Sequence, residues 1–321
     1  MIADTGSSRV ESIADKSDVS GLHLVHNEQL EALLFDRNLT GLAFRQACFA
    51  ASRQFVRHVR DDLDTDEIAE LMILSKGLIY QLAEAVAVEV NRNLPTNLVS
   101  TTRLEVTSDD ATVEVPYARF DAGGSTLLIG DTVASGATIV AALREYQKFH
   151  VVRRVYVMSY AGALQGAARI AGYCAENAIE CTMLFGLAAF GLAENGFDLS
   201  FLNPATLTRD EYRQRAWRQF NGRPVSSVGW DFGSQAMAPG KYRQLCWMEA
   251  EIWGLHGSPG LSIAKAPGSM DVLAHEAAAY ASRVPTVGSD QSASRAADHA
   301  TSTNRSGDGS AAVGVDHPGV R

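Results

Sequence analysis

The sequence predicts an α/β fold, a doubly wound and mostly parallel sheet flanked by helices. Three observations carry that expectation. Short apolar runs at Glu70–Leu74, Thr126–Ile129, Val155–Ser159 and Cys181–Phe185 have the length and composition of strands buried on both faces. Helical segments, two of them entered through loops of small residues, separate these runs, and that alternation builds crossover connections between parallel strands. Between the first and second runs, Leu98 to Phe120 alternates apolar and polar residues around a Ser108-Asp-Asp-Ala turn, which reads as a half-exposed β-hairpin.

Composition bounds the function. The chain has 321 residues, 46% hydrophobic and 20% charged, with a net charge of −9. An acidic pI of about 5.4 gives no footing for a nucleic-acid surface. Cys48, Cys174, Cys181 and Cys246 lack metal-site spacing and call for no disulfide. The amino-terminal residues contain no apolar signal-peptide core. The longest apolar run, Leu184 to Ala193, includes two glycines and falls far short of the roughly 20 residues of a membrane helix. A cytoplasmic protein with no membrane partner is expected. Residues 1–22 read as a loose arm, 23–270 as the folded domain, and 271–321 as a disordered tail. From Ser282 onward the tail is rich in Ser, Ala, Gly and Asp and has no aromatic residue to bury.

Taken in order, Asn27 to Arg60 forms two helices. Leu30, Leu33 and Leu34 share one face, Arg37-Asn-Leu-Thr40 breaks the period with Thr40 as a candidate N-cap, and Phe44, Cys48 and Phe55 resume the apolar stripe. After the strand at Glu70–Leu74, the loop Ser75-Lys76-Gly77 carries a cation. The helix that follows sets Leu78, Leu82, Ala85 and Val86 on one side. The central unit is Ser125 to Leu143, STLLIGDTVASGATIVAAL. A buried strand, a loop with Asp131, Thr132 and Ser135 but little bulk, and a helix start place successive N–H groups in a cup suited to phosphate. Further on, Arg209, Arg213, Arg215 and Arg218 recur at near-helical spacing and read as a solvated helix face. Val228 to Gln235 is glycine-rich and holds Trp230.

The acid followed by Ala134-Ser-Gly-Ala-Thr138 resembles the phosphoribosyl pyrophosphate (PRPP) motif of type I phosphoribosyltransferases. Four other segments resemble the uracil phosphoribosyltransferases in the same order. LLFDRNLTGLAFR is similar to their amino-terminal segment, and ILSKGL to the pyrophosphate loop. TTRLEVTSDDATVEVPYARF is similar to their flexible loop, with Arg103, Tyr117 and Arg119 at matching places, and Val228–Gln235 to their uracil-binding loop. The departures are specific. Gly130 stands where the family often has a first acid, Ser75 stands at its loop arginine, and Ser234 and Gln235 replace an acid and an arginine.

The resemblance implies transfer of ribosyl 5-phosphate from PRPP to a heteroaromatic nitrogen, uracil first among acceptors, with release of pyrophosphate. The 5′-phosphate would lie on Ala134, Ser135, Gly136, Ala137 and Thr138. Asp131 and Thr132 would hold the ribose, with Mg²⁺ at Asp131, and Ser75, Lys76, Gly77 and Arg103 would take the pyrophosphate. The base would sit at Gly229, Trp230, Asp231, Phe232 and Gly233. Asp131, Arg103 and Lys76 are the residues expected to carry catalysis. A homodimer or higher homo-oligomer is implied as well. The rival expectation is a non-catalytic PRPP- or nucleotide-binding regulator on the same fold. Gly136→Val is expected to fill the anion cup without unfolding the chain.

Overall fold

The computed structural model describes residues 8–227, apart from 37, 38, 40, 64–66, 75, 105–111, 122, 194, 195, 197 and 198. The candidate N-cap Thr40, the base loop 228–235 and the tail 271–321 lie outside the described residues.

Eight strands form the main sheet: β1 (Arg9–Ser12), β2 (Leu22–His26), β3 (Ile68–Leu74), β4 (Thr96–Leu104), β5 (Thr112–Arg119), β6 (Thr126–Gly130), β7 (Arg154–Ser159) and β9 (Glu180–Gly186). Their order is β1-β2-β9-β7-β6-β3-β4-β5. The six inner strands are parallel, and the two edge strands are antiparallel to their neighbours. Antiparallel edges suit strands that face water on one side, whereas the parallel interior must be covered on both. A small second sheet joins β8 (Gly162–Ala163), β10 (Ala188–Phe190) and β11 (Leu207–Thr208).

The helices are α1 (Glu28–Phe35), α2 (Gly41–Val59), α3 (Leu82–Val90), α4 (Ala137–Tyr146), α5 (Leu164–Glu176) and α6 (Asp210–Gln219). One face of the sheet packs on α1, α2, α3 and α6, through Leu30, Phe55, Leu82 and Tyr212 among others. The opposite face packs on α4 and α5, through Ile139, Leu143 and Ile170. Alternation along each strand divides the two cores: Leu128 and Met158 face the first, and Leu127, Ile129, Val155 and Val157 face the second. Right-handed crossovers explain the split. From β3 the chain steps through α3 to β4, and from β6 it steps through α4 in the opposite direction to β7, so the two helices land on opposite faces.

Several expectations need correcting. Residues 9–12 belong to a strand, with Arg9 opposite His26 and Ser12 opposite His23, so the loose arm does not extend to 22. Ile13 and Val19 are buried beside β2, and that burial holds the segment down. The helix after Lys76 starts later than its apolar period suggests. Lys76–Ile79 is a single 3₁₀ turn, Gln81 takes a left-handed conformation at φ 48°, and α3 begins at Leu82. Leu78 is consequently exposed, while Leu82, Ala85 and Val86 are buried as the period predicts.

The arginine-rich segment is a helix but not a free-standing one. The Arg209 guanidinium meets Glu11 at 3.2 Å, and Arg213 donates to the Thr206 carbonyl at 2.6 Å. Arg215 donates to Glu31 at 2.9 Å and lies 4.2 Å over the Phe35 ring. These arginines clamp α6 to β1, to α1 and to the preceding loop, because α6 offers few apolar side chains, Tyr212 and Ala216, to the core.

Candidate active site

In an open parallel sheet, a crevice forms at the carboxyl ends of two neighbouring strands whose connections leave in opposite directions. That point here is between β6 and β3, which pair from Ile68 with Thr126 to Glu70 with Leu128. The loops leaving them are Ser75–Gly77 and Asp131–Gly136, the two that the sequence marks out. On the far side of β3, β4 pairs Ser100 with Leu74 and then continues four residues to Leu104. At about 3.3 Å per residue it overhangs the end of β3 by about 13 Å. A register shift on the β5 side, between Ser100 and Thr102, bends this overhang, and Arg103 is carried on it, exposed.

The loop after β6 is tied down at its start and open at its end. The Val133 N–H donates to the Ala161 carbonyl at 3.1 Å, and the Ala163 N–H donates back to Val133 at 2.7 Å. Ala137 N–H donates to Ser135 Oγ at 3.5 Å. Among the described residues, the N–H groups of Ala134, Ser135, Gly136, Thr138 and Ile139 donate to no acceptor. Five such donors at the head of a ten-residue helix make a site for an anion, with the helix dipole behind them.

The missing side chain of Gly136 makes room for something other than the cup. The residue's φ is +76°, and a Cβ there would stand 2.5 Å from the Gly166 carbonyl oxygen. A Cβ on Gly166 would in turn stand 2.3 Å from the carbonyl oxygen of Ala134. The two glycines let the first turn of α5 pack directly on the loop backbone. A side chain at 136 therefore strikes α5 rather than filling the cup, and Gly136→Val disrupts packing before it tests binding.

Asp131 follows β6 and is 6% exposed. Its Oδ1 accepts from the Thr132 N–H at 2.8 Å. Burial pushes its pKa up to about 6, while the Lys76 and Arg103 charges and the Thr132 N–H pull it down. Two cations from two other segments, Lys76 and Arg103, thus act on one carboxylate.

Tyr80 completes the cluster, and sequence reasoning missed it. It is fully buried, stacks on Tyr160 with ring centroids 4.0 Å apart, and its hydroxyl accepts from the Tyr160 N–H at 3.2 Å. That hydroxyl also engages Thr132 and Ser159, and burial with the Asp131 charge nearby raises its pKa. Tyr160 is anchored in turn, its hydroxyl donating to the Cys48 carbonyl at 2.9 Å and lying 2.8 Å from Ser52 Oγ. Tyr80 also explains Gly130. A Cβ at 130 would lie 2.5 Å from Tyr80 Cγ, so no carboxylate can precede Asp131 in this packing. Gly77 is held to a similar standard, with Met72 Cγ 3.0 Å from where its Cβ would stand.

Not every expected residue enters the site. Arg119 sits opposite Leu98 near the foot of the hairpin and pairs with Asp121 at 2.5 Å. Tyr117 lies opposite Ser100 and is half exposed. Ser75 and the base-loop residues Gly229, Trp230, Asp231, Phe232 and Gly233 lie outside the described residues. No group of three or more His, Cys, Asp or Glu able to hold a metal occurs among the described residues. A lone buried carboxylate still fits Mg²⁺, which commonly takes one protein carboxylate and completes its shell with phosphate and water.

The chain matches no model of a known protein family and no curated protein. Among solved structures, it is similar to the AQ2163 protein from Aquifex aeolicus, at 18% identity over 53% of this chain and 86% of that one, with a TM-score of 0.43. It is similar to adenine phosphoribosyltransferase from Leishmania tarentolae, at 16% identity over 56% and 94% of the two chains, with a TM-score of 0.38. Orotate phosphoribosyltransferase from Aeropyrum pernix matches at 15% identity over 51% and 79%, with a TM-score of 0.29.

Proposed function

We propose that this protein is a PRPP-dependent phosphoribosyltransferase of type I architecture. It would act on a nucleobase-like heteroaromatic acceptor, uracil first among the candidates, as a homodimer or larger homo-oligomer in the cytoplasm. One observation supports this reading above the others. An amide cup at residues 134–139 and the cation Lys76 flank a buried carboxylate at the switch point of a parallel sheet, with Arg103 on an overhanging strand.

The division of labour follows from charge and position. The five free amides and the α4 dipole hold a terminal phosphate. Asp131, beside the cup, accepts hydrogen bonds from ribose hydroxyls and steadies the positive charge that develops on the sugar as the glycosidic bond lengthens. Lys76 and Arg103 offset the charge growing on the departing pyrophosphate, where a closing hairpin also excludes water. Mg²⁺ bound at Asp131 would supply further neutralisation of the leaving group. The acceptor assignment rests on the resemblance of residues 228–235.

A second reading, a PRPP-binding regulator, draws on the steric exclusion of an acid at position 130. Turnover separates the two: release of pyrophosphate from PRPP with any nucleobase in a screen supports the enzyme, and PRPP binding without release supports the regulator. The cup itself is tested by Thr138→Glu. An acid in the first turn of α4 favours the helix, so melting should hold or rise slightly, while a fixed negative charge repels phosphate. PRPP affinity is expected to fall by about a hundredfold or more. Unchanged affinity in a folded Thr138→Glu protein would remove the reading.

A further inference from the structure

We propose that a second pocket, at the carboxyl end of β2, binds a small carboxylate bearing a hydrogen-bond donor next to its carboxyl group, an α-amino or α-hydroxy acid. The pocket has a volume of about 420 Å³ and is walled by β1, β2, the start of α1 and the start of α6. It lies three strands from β6, about 14 Å away at the usual interstrand spacing, and is therefore distinct from the PRPP cup.

Its walls concentrate buried polar atoms without partners. His26 and Asn27 are each 5% exposed. Both ring nitrogens of His26, Nδ2 of Asn27, Oε1 of Gln29 and one Arg209 Nη have no hydrogen-bond partner among the described residues. Buried polar groups normally find partners, and five of the six such side-chain atoms among the described residues, all but Ser227 Oγ, gather in this one cavity and mark where a polar guest belongs. Asn27 caps α1, its Oδ1 accepting from the Leu30 N–H at 2.8 Å, and so its Nδ2 is fixed in place. The Glu28 and Gln29 N–H groups likewise donate to nothing among the described residues.

The chemistry of the guest follows from this set. Asn27 Nδ2, the Arg209 Nη and two helix amides are all donors, and they suit a carboxylate. Gln29 Oε1 is an acceptor and requires a donor on the same small molecule. His26 is neutral, since burial, aided by Arg209, lowers its pKa to about 4, so it offers one donor and one acceptor. The acids around the pocket disfavour a phosphate dianion. Glu31 already holds Arg215, Glu211 lies 3.4 Å from Arg209, and Glu11 pairs with Arg209 at 3.2 Å and stands 3.6 Å from His26 Nε2, beyond hydrogen-bond distance.

Asn27→Asp tests the assignment without touching the fold. Aspartate caps a helix as well as asparagine, so the Leu30 bond survives, but the Nδ2 donor becomes an anion. The full-length protein would be titrated calorimetrically with glycine, L-serine, L-aspartate, L-lactate and L-malate, and with acetate and ethylamine as compounds lacking one of the two groups. At least one amino or hydroxy acid should bind, with acetate and ethylamine weaker by about tenfold or more. Asn27→Asp should lose that binding while its melting temperature and PRPP affinity stay unchanged, and Gln29→Leu should narrow the preference towards acetate. Absence of binding by every acid at millimolar concentration, or equal binding by Asn27→Asp, would show a pocket that holds only water and would overturn the proposal. PRPP affinity is read on the same samples, so failure here is distinguishable from failure at the cup.

Discussion

Asp131→Asn should make the protein more stable and less active, and the size of the gain should depend on pH. The carboxylate is 6% exposed, and its pKa is raised from 3.8 to about 6, chiefly by burial. For an acid whose folded pKa lies above its unfolded value, the favourable contribution is complete below the unfolded value. It is lost as pH rises through the folded value. The window therefore runs from about pH 4 to about pH 6. The gap between 3.8 and about 6, at 1.36 kcal/mol for each tenfold change in proton affinity, corresponds to about 3 kcal/mol of folding free energy given up at neutral pH. Asparagine keeps an oxygen for the Thr132 N–H and cannot ionise. Urea unfolding of wild type and Asp131→Asn at pH 4 and pH 7.5 should thus give similar stability at the lower pH and up to about 3 kcal/mol in favour of Asn at the higher. The same variant should lose most PRPP turnover, and the acid limb of wild-type kcat/KM should fall near pH 6. A variant less stable than wild type at pH 7.5, or a difference that ignores pH, would refute the reasoning.

Two further predictions concern residues around that carboxylate and below it. Gly130→Ala should cost about 1–3 kcal/mol by driving a methyl group into Tyr80, and Tyr80→Ala in the same chain should recover part of the Gly130→Ala penalty; a double-mutant cycle with no coupling would contradict the packing. Glu70, 1% exposed and held by the Thr96 hydroxyl at 3.0 Å, has its pKa raised by burial from 4.5 to about 7. Its contribution is complete below pH 4.5 and lost as pH passes 7, so Glu70→Gln should raise the melting temperature at pH 8 and leave it unchanged at pH 4.5.

The sequence was enough for the order of β3 to β7 and β9 and of the helices, but not for β1, β2 or the small second sheet. Apolar runs such as Thr126–Ile129 and the polar break after Phe35 are local signals, and the physics that makes them strands and helix ends is local too. The Ala134–Thr138 loop was legible for the same reason, because a strand, small residues and a helix start already specify an anion cup in one short segment. What needed the tertiary structure were facts about pairs far apart in the chain. Gly130 reads as a missing acid until Tyr80, fifty positions earlier, is seen to occupy the space beside it. The bare Cα of Gly136 reads as room left for a phosphate until Gly166 is found packed where its side chain would stand. Arg209, Arg213 and Arg215 read as a solvated stripe because their partners, Glu11, Thr206 and Glu31, are set by how α6 docks. Asn27 caps α1, and only the packed fold shows that the other end of its side chain opens into a pocket shared with Arg209. Periodicity reports which face of an element is buried. Only the packed fold decides what that face is buried against, and steric exclusion and charge pairing both depend on that neighbour.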